Sequence, residues 1–144
     1  MRLEKFLFCE MARNEVNGQI SLIGLFPGDL IIVGLPEDVP FNLLPNLHCV
    51  VILGNMRQVR TLRYQCQVRS GGLDIVTTPE QSVDRPELTP YQTLMFGFTP
   101  FPCTQGPGDY EFRITVQPQE AAHPTSYTRV FGIQRQNISP PTQH

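Results

Sequence analysis

The stretch Tyr110-Glu111-Phe112-Arg113-Ile114-Thr115-Val116-Gln117 alternates one apolar side chain with one polar side chain for eight residues. A period of two is the signature of an extended strand with one buried face and one wet face. The same pattern runs through Leu62, Tyr64, Cys66 and Val68, separated by Arg63, Gln65 and Gln67. It returns at Leu94, Phe96 and Phe98, and at Phe131 with Ile133. Leu47-His48-Cys49-Val50-Val51-Ile52-Leu53 is apolar at almost every position, which suits a central strand shielded on both sides. No stretch of ten residues carries the 3.6-residue period of an amphipathic helix. Pro118 to His123 has room for one helical turn at most.

Turn residues punctuate these runs. Asn17-Gly18 lies between two apolar segments and is a strong two-residue hairpin signal. It predicts a hairpin of residues 4–12 and 19–26, with Arg13 and Glu15 pairing beside the turn. Gly54-Asn55, Gly71-Gly72 and Pro107-Gly108 mark further reversals. The 14 prolines are about twice the usual frequency, and most fall between or at the ends of apolar runs, where a missing donor does least harm. Many short strands with Gly/Pro turns and no intervening helices predict an all-β fold, an antiparallel β-sandwich of about seven to nine strands. A chain of 144 residues is the length of one domain. Residues 1–135 are expected to form it, leaving 136–144 as a loose, polar C-terminal tail.

Charge and composition narrow the function classes. A net charge of −2 gives no bulk attraction to nucleic acid or to an anionic membrane. No apolar run approaches the length of a membrane span, and the start of the chain, with Glu4 and Glu10, does not fit a secretory leader. A cytoplasmic location follows as the expectation. Cys9, Cys49, Cys66 and Cys103 form no Cys-x-x-Cys pair and have no histidine at zinc spacing, so they read as small buried hydrophobes. His48 and Cys49 are adjacent on a strand and therefore point to opposite faces. No nucleophile elbow, P-loop or dinucleotide-binding fingerprint is present. Neither a catalytic residue nor a metal or cofactor site is expected.

Three surface features stand out. Arg57, Arg63 and Arg69 are evenly spaced and, with Arg113 on a neighbouring strand, would make a locally basic face for an anion or an acidic partner. Leu30, Ile32 and Leu35, followed by Phe41 and Leu43, make a proline-punctuated apolar segment suited to contact with another subunit. Loops 79–91 and 100–109, with Tyr91 and Phe101, and Tyr127 beside them, are the aromatic candidates for a small-molecule or carbohydrate site.

Two stretches carry resemblances. Pro107-Gly108-Asp109-Tyr110 through Val116 resembles the P-G-x-Y strand of immunoglobulin-like and fibronectin-like sandwiches. That likeness implies a tyrosine hydroxyl bonded back to upstream backbone. The chain has no tryptophan, and Phe112 stands where an antibody domain has cysteine. Cys9-Glu10-x-x-Arg13-x-Glu15-x-x-Gly18-x-x-Ser21-Leu22-Ile23-Gly24-Leu25-Phe26, followed by Leu44-Pro45-Asn46-Leu47, is similar to the opening of a family of small bacterial proteins with no assigned activity. That resemblance implies a cytoplasmic bacterial sandwich and supplies no site residues. The leading expectation is a non-enzymatic interaction module that binds a protein partner or itself, with no nucleic-acid or membrane partner. The alternative is a ligand-binding sandwich that uses loops 79–91 and 100–109.

Overall fold

A computed structural model describes residues 1–16 and 19–139. The predicted Asn17-Gly18 turn and residues 140–144 lie outside the described residues. The order is β1 (Arg2–Asn14), β2 (Ile20–Leu25), a 3-10 turn at Pro27–Asp29, β3 (Leu30–Leu35), β4 (Leu43–Leu44), β5 (Leu47–Gly54) and β6 (Thr61–Ser70). It continues with β7 (Leu73–Thr77), β8 (Gln81–Asp84), β9 (Gln92–Phe98), β10 (Phe101–Pro102), β11 (Gly108–Pro118) and β12 (Thr125–Asn137). The fold is all-β, as the alternation predicted. The twelve strands among the described residues exceed the expected seven to nine. Two of them, β4 and β10, are two-residue pieces, too short to leave a period in the sequence.

Two main sheets make the sandwich-like body. One has the order β2-β1-β5-β9, the other β3-β12-β11-β6-β7 with β8 also on β6, and β4 pairs with β10 separately. Every pair is antiparallel except β3 with β12, which is parallel. The register places Phe6 opposite Val51 and Phe8 opposite Cys49 in the first sheet. In the second it places Phe112 opposite Val68 and Ile114 opposite Cys66. These residues are buried and form one core. Its centre is aromatic: Phe112 meets Phe8 edge-on at 4.9 Å and stacks on Phe101 at 5.6 Å, while Phe8 meets Phe131 at 4.8 Å. Such pairs add about 0.5–1.5 kcal/mol each beyond their buried area.

Strand β5 lies between β1 and β9 as expected of a central strand. Its outward Val50 is buried and its outward His48 and Ile52 are half-buried. The hydroxyl of Tyr110 donates to Gly106 O at 2.6 Å, the upstream bond that the P-G-x-Y strand implied. Residues 136 and 137, expected in the tail, belong to a strand. β12 runs through Asn137 beside β3, and the Ile138 amide donates to Leu35 O at 2.9 Å. Alternation is hard to see there because Gln134, Arg135, Gln136 and Asn137 are all polar.

Candidate functional site

The β1–β2 hairpin holds the first cluster of reactive groups. Arg13 Nε lies 2.7 Å from Glu15 Oε1, so these two charges face each other on the surface. A hydrogen bond from Ser21 and then the Arg13 charge hold the Glu15 carboxyl below its ordinary value. Cys9 is buried and its thiol donates to Met11 O at 3.3 Å; burial pushes that thiol upward. His48 sits opposite Cys9 in the register, but its Nδ1 lies 3.0 Å from Glu10 O and its ring covers Gly97. A methyl at Gly97 would stand 2.7 Å from His48 Nε2, so the glycine is what makes room for the imidazole. Burial also raises Cys49, raises Cys66 to about 12 and raises Cys103 to about 11. All four cysteines are free thiols, the opposite of the activated thiolate a nucleophile requires. Among the described residues no three His, Cys, Asp or Glu side chains converge to hold a metal ion.

The candidate basic face is a set of local pairs. β6 and β11 are neighbours, so Arg63, Arg69 and Arg113 do share one outward face. Arg69 meets Asp74 of β7 at 3.0 Å, Arg113 lies 3.8 Å from Glu111, and Arg63 lies 3.6 Å from Glu80 and also donates to Gln117. Arg57 falls in the turn before β6 and does not continue the row. The neutralising carboxylates come from positions that the spacing of the arginines does not reveal.

The aromatic candidates do not converge. Phe101 forms β10 and is fully buried in the core against Phe98, Tyr110 and Phe112. Prolines on both sides gave it the look of a loop residue. Tyr127 lies opposite Ile114 on β12 and is half-buried against the core; Tyr91 is exposed. Loop 79–91 does border a shallow depression of about 340 Å³, lined by Arg60, Thr61, Asp84, Arg85, Pro86 and Leu88. Its most distinctive member is Arg85, which sequence reasoning passed over. Only 5% of Arg85 is exposed. Its guanidinium donates to Met56 O, Val59 O, Thr89 O at 2.7 Å and Gln92 Oε1 at 3.0 Å, with longer contacts to Thr89 Oγ1 and Tyr91 O. Those acceptors use up its donors, so Arg85 ties loop 55–60 to loop 85–91 and has little left to offer a ligand.

The apolar segment divides. Phe41 is buried in the core, and Leu35 points inward with Ile31 and Val33. Leu43 is exposed beside Pro102. Leu30 and Ile32 alternate outward on β3 and are 38% and 56% exposed. β3 ends its sheet as β2 ends the other, and the short segment 26–29 joins them. Residues 20–35 therefore contribute one terminal strand to each sheet. They contain one charge, Asp29, and Arg129 binds its carboxylate. Exposed sheet edges ordinarily carry lysine, proline or inward charges that discourage pairing with another chain, and β2 and β3 carry none. Val130, 45% exposed on the outward row of β12 just before Gly132, which pairs with Leu30, and Ile138, 45% exposed against Gly34, extend the outward apolar surface. Val130 lies on the last strand and Ile138 just after it, both far from β3 in sequence, and only the parallel pairing brings them there.

No helix among the described residues is long and apolar enough to cross a membrane. No protein-family model matches the chain, and no curated protein matches it.

Proposed function

We propose that this protein is a non-enzymatic interaction module of the bacterial cytoplasm that works by protein–protein contact along the side formed by β2 and β3. The observation that carries the reading is the uncharged strand β3. Among the described residues it has a paired strand on one side only, and Leu30 and Ile32 are exposed on it. An added strand would satisfy the free backbone groups of such an edge, and flanking side chains would set its specificity. The bacterial and cytoplasmic parts rest on the likeness of residues 9–26 and 44–47 to a family without assigned activity. The ligand-binding alternative has less behind it, since the depression beside loop 79–91 is shallow and its arginine is engaged with backbone carbonyls.

Site-specific photo-crosslinking in cells tests this. A photoreactive residue at Ile32 should give a discrete protein adduct, and the same residue at Gln67, on the outward face of β6, should give none. Equal yields at the two positions, or none at either, would remove the proposal.

A further inference from the structure

Resting on that reading, we infer that the occupant of the β3 edge is a second copy of this chain, joined antiparallel through β3 about a two-fold axis at Ile32. An isologous contact sets each residue against its symmetry counterpart, so a charged edge strand would place like charges near the axis. Residues 30–35 carry no charge. The side-chain sizes then choose the register. With Ile32 on the axis, the outward row sets Ile32 against Ile32 and Leu30 against Gly34 of the second copy. The inward row sets Ile31 against Val33 of the second copy. Leu30 thus meets a position with no side chain, where Ile138 packs within 3.3 Å of the place a methyl would occupy. Leu30, Ile32, Val130 and Ile138 of both copies would join into one apolar strip.

Flanking charge agrees with this register. Asp29 falls against Leu35, Glu37 against Pro27 and Asp38 against Phe26, so no acid faces an acid. Centring on Val33 instead would set Asp29 against Glu37. Centring on Ile31 would set Leu30 against Ile32 twice and leave Gly34 facing Gly28. Cross-strand pairs of this kind fix register because opposed like charges are costly and two facing glycines give no side-chain contact.

The test uses the full chain under reducing conditions. Sedimentation equilibrium across a dilution series reaching roughly millimolar protein should give a reversible dimer. Ile32→Lys faces a lysine with a lysine and should raise the dissociation constant by about tenfold or more, with the thermal unfolding of the monomer unchanged. Cross-linking checks the register without relying on that variant. On mild oxidation with diamide, Ile32→Cys should link to itself. Leu30→Cys alone should not, but Leu30→Cys mixed with Gly34→Cys should. Wild-type protein, whose four thiols are buried, is the blank. A monomer throughout the series, or a dimer that Ile32→Lys leaves intact, overturns the inference. Self-linking at Leu30 but not Ile32 overturns the register. A monomer in solution together with an adduct to another protein from Ile32 in cells would overturn self-pairing and leave the interaction module standing.

Discussion

Replacing Arg85 with methionine is the most informative single change to the body of the fold. The guanidinium sits in the angle between loop 55–60 and loop 85–91 with no carboxylate partner among the described residues, and burial lowers its pKa from the ordinary arginine value. It serves three backbone carbonyls at short range, those of Met56, Val59 and Thr89, and the Gln92 side chain as well. A hydrogen bond with a charged donor contributes about 1.5–3 kcal/mol. Methionine fills similar space and leaves those acceptors empty, while removing a buried charge recovers several kcal/mol of desolvation. The difference comes to a net loss of about 3 kcal/mol, within the range for breaking a buried network. For a chain of this size that lowers the unfolding midpoint by roughly 6–12 °C. Urea and thermal unfolding followed by circular dichroism would measure it. Hydrogen exchange should quicken first at Met56, whose amide donates to Pro90 O at 3.0 Å. A loss below about 1 kcal/mol, or exchange no faster at Met56 than elsewhere, would mean that water replaces the guanidinium and that Arg85 does not hold the loops together.

Three other outcomes follow from the geometry. Tyr110→Phe keeps the buried ring and removes the bond to Gly106 O, so it should cost about 1–2 kcal/mol in urea unfolding; an unchanged midpoint would show that the corner bond contributes nothing. Native protein at pH 8 should show no rapidly reacting thiol with a disulfide reagent, and unfolding should release four, because burial raises all the cysteines and holds Cys66 at about 12; a fast thiol in the folded protein would contradict this. The Glu15 carboxyl, depressed first by Ser21 and then by Arg13, should titrate below the ordinary carboxylate value by NMR and return toward it in Ser21→Ala. Its support of the hairpin is complete above the unfolded carboxylate pKa and fades as pH falls through the lower folded value. A titration at the ordinary value would refute the pairing.

What could be read from the chain, and what could not, divides along physical lines. Leu62 to Val68 and Tyr110 to Val116 were legible because a half-buried strand must alternate, and both faces came out as the period requires. Leu47 to Leu53 was legible as a central strand because both of its faces are apolar. Phe101 was not legible: a two-residue strand that follows one proline and ends in another has no period, and its burial depends on a partner, Leu44, far away in sequence. The arginines of β6 and β11 looked like a basic face because a list of cations does not show that Asp74, Glu80 and Glu111 will lie beside them. Arg85, in Asp84-Arg85-Pro86, has the local appearance of an exposed turn residue. Only the meeting of two loops buries it. The interaction side was half visible, since the apolar character of residues 30–35 was plain. Which of those side chains face out, and that Val130 and Ile138 join them, depended on the parallel pairing of β3 with β12.

The claim on which the functional account turns is that the β3 edge is covered when the protein works. Amide exchange across residues 30–35, compared between wild-type protein and Ile32→Lys at high concentration, measures that cover residue by residue. The account predicts that amides directed away from β12 exchange slowly in the wild type and quickly in the variant, with the amides of β11 unchanged in both. Fast exchange of those same β3 amides in both proteins would contradict it.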